Sequence, residues 1–149
     1  MTPYGIVCLV LAGTLGSAAI EDARRYRIRN AAVMVLALGV VAAYLAGRPG
    51  TLLPLALFVA VCFAALVGAF ARGWIGGGDA KLLTVALAFA GPNGAAPFAI
   101  LLLVCVSLYA LGARLGAVPS RAVEGRRQIP YGPSIAAAWI GLIALEVWN

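Results

Sequence analysis

Six apolar runs, all but the fourth near the length that crosses a bilayer, constrain this chain more than any single motif does. They extend from about Pro3 to Ile20, Ala31 to Gly47, Leu52 to Ala71, Leu82 to Gly91, Ala95 to Ala117 and Tyr131 to Trp148. Spanning the hydrocarbon core takes roughly 20 apolar residues in a helix, and in lipid the backbone must satisfy its own polar groups, which helices do. With 64% apolar and only 11% charged residues, a soluble domain of this size would expose large apolar patches. The expectation is an all-α, polytopic membrane bundle of six transmembrane helices. Its 149 residues suffice for one membrane-embedded domain, residues 1–149, without a separate soluble one. The longest polar connection, Pro119 to Pro130, is too short to fold alone.

Charge placement supplies an orientation. Arg24, Arg25, Arg27 and Arg29 lie in the first connection, Arg72 and Lys81 flank the third, and Arg114, Arg121, Arg126 and Arg127 lie in or beside the fifth. Only Arg48 falls in an even-numbered connection. By the positive-inside rule the odd connections are cytoplasmic and both termini lie outside the cytoplasm. The net charge of +6 then reports topology and contact with anionic lipid head groups, not nucleic-acid binding. Arginines follow the first apolar run, whereas a cleavable signal peptide carries its positive charge ahead of its core.

The chain has no histidine, and Cys8, Cys62 and Cys105 sit inside apolar runs with no CxxC pair. The usual zinc sites and every histidine-dependent triad are therefore excluded; the cysteines read as small packing residues. The spacing of Gly112 and Gly116 suits a helix contact, but weakly.

That leaves the five acids, Glu21, Asp22, Asp79, Glu124 and Glu146. Glu146 and Glu124 read as interfacial or solvated charges. The first helix ends near Glu21 and Asp22 at the face where the fourth begins with Asp79. Two carboxylates held close in a low dielectric cannot both ionise and share a proton, the device by which an aspartic protease activates water. Alone, Asp79 would read as the N-cap of its helix and Asp22 as a partner of Arg24 or Arg25. Their coincidence at one level favours chemistry. Asp79 to Gly91 is only 13 residues, about 20 Å as a helix, so either its start is recessed or the Gly91-Pro92-Asn93-Gly94 turn dips inward.

These residues resemble the type IV prepilin peptidases, membrane aspartic proteases of the GxGD class. Gly76-Gly77-Gly78-Asp79 fits GxGD and runs on through Lys81; Asp22 opens a stretch ending Ile28-Arg29-Asn30, where the family has Ile-Pro-Asn; and Pro130-Tyr131-Gly132-Pro133 is similar to a third motif. Arg29 departs from the family proline. The short chain looks like the stand-alone peptidases of tight-adherence (Flp) pilus systems.

The resemblance implies Asp22 and Asp79 as the catalytic pair and prepilin or pseudopilin precursors as substrates. It implies removal of a short basic leader at the cytoplasmic face, a bacterial inner-membrane location, and no cofactor or metal. Gly76, Gly77 and Gly78 would let backbone approach the substrate or adopt positive φ. Asn30, Lys81, Pro130, Tyr131, Gly132 and Pro133 would bind substrate or shape the site. Two alternatives stand beside this: an intramembrane protease of the signal-peptide-peptidase kind, which carries Tyr-Asp where this chain has Glu21-Asp22, and a non-enzymatic transporter or scaffold, which would bind near mid-bilayer.

Overall fold

A computed structural model describes residues 2–25, 28–48, 50–118, 121–123, 126–128 and 130–148. Arg27, Pro119 and Glu124, named above, lie outside the described residues. Five helices make up the body: α1 (Pro3–Arg25), α2 (Asn30–Leu45), α3 (Leu52–Ala71), α4 (Gly77–Arg114) and α5 (Gly132–Trp148). Between α4 and α5 the polar connection forms an antiparallel pair, β1 (Arg121–Val123) and β2 (Arg126–Gln128), with Ala122 opposite Arg127. Nothing in the sequence reading anticipated that hairpin.

By length and composition α1, α3 and α4 can cross a membrane, while α2 and α5 are shorter apolar helices. Their outer faces stay apolar, with Leu9, Leu38, Leu57, Val61, Leu103 and Leu108 all exposed. An apolar surface on this scale is stable against lipid tails, not water.

The fourth and fifth apolar runs form two helical limbs that meet at a kink, as the breaker between them suggested, but the four-residue turn expected there is reduced to one residue. They lie in one 38-residue element interrupted only at Gly91, where φ is 66° and ψ is −179°. Pro92, read as part of a breaker, is helical. It follows the break directly, so its missing N–H falls at the first position of the second limb, where no intrahelical partner exists. Gly116 also departs from expectation: it lies beyond the end of α4 with φ +74° and no neighbour within reach of a Cβ. It closes a Schellman cap, with Ala117 N–H bonded to the Gly112 carbonyl, and a Cβ there would meet no helix among the described residues.

Leu11 and Leu15 of α1, Leu36 and Val40 of α2, Leu82 and Phe89 of α4, and Ile135 and Trp139 of α5 meet in one core. Phe89 and Trp139 stack with ring centroids 5.5 Å apart. Close approach of α1 and α2 depends on Gly39, since a Cβ there would strike the Leu11 side chain. α3 contributes no buried residue and, among the described residues, packs on α4 alone.

Contacts sort the helix ends into two groups. At one end Asp22, Ile28, Gly78 and Gly132 come together. At the other, Tyr4, Arg48 and Glu146 are hydrogen-bonded, and the Tyr44 hydroxyl donates to the Ala88 carbonyl. α1 therefore runs antiparallel to both α2 and α5, and the first limb of α4 runs with α2. The 18 residue steps between Tyr4 and Asp22 cover about 27 Å, so the two ends lie nearly a bilayer core apart.

Candidate active site

Asp22 sits in the last turn of α1 and is buried, with 4% of its surface exposed. Among the described residues no arginine is hydrogen-bonded to it or paired with it. Its Oδ2 accepts a hydrogen bond of 3.0 Å from the backbone N–H of Gly132, the first residue of α5. A Cβ at position 132 would stand 2.9 Å from both Cβ and Cγ of Asp22, so only glycine lets the two backbones come this close. Arg25 and Arg29 turn instead to Glu21, at 3.8 and 3.9 Å, with both arginines mostly exposed. Such pairs contribute little stability, but they hold positive charge away from Asp22.

Asp79 is partly buried and is the third residue of α4, whose N-cap is Gly76. It is therefore not the N-cap the bland reading allowed. Its carboxylate bends back onto the backbone of Gly76, the side-chain half of a capping box. Ile28, six residues beyond Asp22, lies against Gly78, the residue before Asp79, which brings the carboxylate ends of α1 and α4 to one level of the bundle. None of Gly76, Gly77 and Gly78 adopts positive φ, contrary to one of the two uses expected of them. Their role in the fold is room: a Cβ at Gly77 would press on Phe70, one at Gly78 on Ile28, and one at Gly76 on the Asp79 carboxylate.

The first two motifs interlock outside the carboxylates. Lys81 Nζ donates to Asn30 Oδ1 at 3.0 Å, while Ile28 lies against Gly78. Arg29, standing where the family has proline, is the N-cap of α2 with φ −73° and ψ 134°. A proline fixes φ near that value, so the arginine keeps the turn that a proline would impose. Of the third motif, Pro130 is buried, Tyr131 is exposed and accepts from the Ile135 N–H, and Gly132 and Pro133 open α5.

The sequence reading missed a second polar cluster at the opposite end. Glu146, read as a solvated or interfacial charge, is held by Arg48 through Nη1 at 2.7 Å and Nη2 at 2.5 Å. Tyr4 donates to Glu146 at 2.7 Å, and the guanidinium stacks 3.8 Å from the Phe89 ring. The available signal was a lone arginine and a lone glutamate assigned to the same end.

Membrane-length helices with a buried carboxylate and a second, partly buried one at the same end define a helical membrane protein with a carboxylate site at one end of the bundle. The chain belongs to the type IV leader peptidase family, whose model matches residues 9–112. That span covers the Asp22 to Asn30 and Gly76 to Lys81 motifs and stops short of Pro130. Neither a curated protein nor a solved structure matches the chain. Family membership makes it a peptidase, an integral membrane protein, and an enzyme of prepilin-type substrates.

Proposed function

We propose that the chain is an aspartic endopeptidase that removes the short basic leader of Flp-type prepilins at the cytoplasmic membrane face, with Asp22 and Asp79 as its catalytic pair. The observation that carries this reading is the meeting of three separate motifs at one bundle end: the Asp22 carboxylate takes the Gly132 N–H, and Ile28 lies against Gly78 beside Asp79. One carboxylate, ionised, takes a proton from water as its oxygen attacks the peptide carbonyl carbon. The other, protonated, hydrogen-bonds the developing oxyanion. Asn30, Lys81, Gly76 to Gly78 and Pro130 to Pro133 form the frame that sets the separation of the pair.

In this reading the whole chain is one membrane-embedded domain in the bacterial inner membrane, and six spans arise because α4 turns back at Gly91. A straight helix of 38 residues would reach about 57 Å, nearly twice a hydrocarbon core of about 30 Å. Neutralisation of Arg48 by Glu146 supports the orientation, because the arginine expected at the outer end is paired. Co-expression with a precursor carrying a short basic leader tests the function: leader loss is expected with the unsubstituted chain and not with Asp22→Asn or Asp79→Asn. Full processing by both variants would overturn the assignment.

A further inference from the structure

The packing of α3 on α4 leaves a cavity of about 280 Å³ beside the aspartate end, open on the lipid side, where Phe63, Val67 and Phe70 are about half exposed. Phe63, Leu66, Val67 and Phe70 line it from α3, at the i, i+3, i+4 and i+7 spacing of a single helix face, with Gly77 and Ala80 opposite them. Lys81 adds to the wall while its ammonium bonds Asn30, leaving the methylene stem to the cavity. An apolar cavity of about 150 Å³ accepts benzene, and sites for drug-sized ligands begin near 300 Å³. The space therefore suits one large apolar side chain, not a helix.

Its position relates it to the scissile bond. Gly77 and Ala80 bracket Asp79, yet at 100° per residue the cavity side of α4 lies about 150° round the helix from that aspartate. A substrate held at the aspartates reaches the cavity by passing over the N-terminal end of α4 at Gly76, which is exposed and carries no side chain. Crossing roughly 10 Å of helix takes about three residues extended at 3.3 Å each. From there the α3 face runs about 10 Å from Phe70 to Phe63, away from the aspartate end. An apolar segment entering the bilayer after the cleavage point would follow the same direction.

We infer that this cavity is a specificity pocket for the substrate, taking the apolar side chain three or four residues beyond the scissile bond on the membrane side. The inference rests on the leader-peptidase reading above. The test uses the full chain in lipid nanodiscs and two synthetic precursors with a basic leader and an apolar helix. One carries Phe, the other Ala, at the third and fourth positions after the cleaved bond. Val67→Trp fills the cavity from α3, where no residue is buried. It is expected to slow cleavage of the Phe precursor by roughly tenfold to a hundredfold while the Ala precursor is cut as fast as by the unsubstituted chain. Equal loss on both precursors, or loss on neither, overturns the pocket.

A photo-crosslinker at Leu66 of a chain bearing Asp79→Asn gives a second reading that does not depend on tolerating a tryptophan. Capture of the Phe precursor from position 66 and not from the lipid-exposed Leu57 is expected; capture of lipid alone, or of nothing, contradicts it. An unsubstituted chain that cuts neither precursor defeats the peptidase reading and the pocket with it. Cleavage indifferent to position 67 and to the precursor residue defeats the pocket alone.

Discussion

At the scale of single residues, two adjacent acids have opposite surroundings. Glu21 faces arginines and water, whereas Asp22 is buried and held by one backbone N–H. A helix turns 100° per residue, and that rotation alone separates them. Glu21→Gln is therefore expected to leave cleavage within about threefold, since exposed pairs of this kind are weak. Gly132→Ala is expected to be severe: the new methyl group would sit 2.9 Å from Asp22 Cβ and Cγ, so the carboxylate must move. Displacement by about 1 Å can cost a hundredfold in rate. Parallel measurements of cleavage rate and thermal unfolding in detergent distinguish this from global damage, with activity falling far more than stability. Asp22 and Asp79 were legible because acids are so scarce here, but the contact of Gly132 with Asp22 joins residues 110 apart in sequence. Local pattern carries no sign of such a contact.

Among the elements, α4 departs furthest from the sequence reading. Gly91-Pro92-Asn93-Gly94 has the composition of a loop, yet only Gly91 leaves helical geometry. A proline just after the break suits a helix start, and composition alone does not tell a helix start from a turn. Gly91→Ala is expected to destabilise the chain by about 1–3 kcal/mol, because that backbone conformation is essentially restricted to glycine. Gly13→Ala, where a Cβ meets nothing within 4 Å, is the matched control and should leave stability unchanged or slightly improved, since alanine is the better helix former. Thermal unfolding of the two variants in one detergent checks the contrast. The ends of α2 and α3 were legible because lipid-length apolar runs bounded by charge or glycine leave little freedom, whereas α1 runs five residues past Ile20, through Glu21 and Asp22 to Arg25, since charge ends an apolar run without ending a helix. The β1–β2 hairpin escaped notice because its strands are three residues each, too short for any periodicity to show.

Across the whole molecule, one end carries the proposed chemistry and the other a structural clasp. Tyr4, Arg48 and Glu146 join the ends of α1 and α5 remote from the aspartates to the connection after α2, and Phe89 under the guanidinium brings in α4. Arg48→Met leaves Glu146 without its cation and is expected to cost about 3 kcal/mol, as for a broken buried pair. Arg48→Met combined with Glu146→Leu should recover much of that loss, because replacing both partners removes the unpaired charge. Unfolding midpoints of the single and double variants check this, and a double variant no more stable than the single contradicts it. The membrane class and the grouping of motifs at one end followed from apolar runs and charge placement. The clasp was hidden because two isolated charges near chain ends look the same whether solvated or paired.

If Asp22 and Asp79 act as one unit, removing either should abolish what removing both abolishes, because the effects of groups that work together do not add. Single-turnover cleavage of a precursor by the unsubstituted chain, Asp22→Asn, Asp79→Asn and the double variant measures this directly. Both single variants are expected to fall to the same floor as the double, at least about a thousandfold below the unsubstituted chain. A single variant retaining a tenth or more of the original rate, or losses that multiply in the double, would contradict a shared catalytic pair.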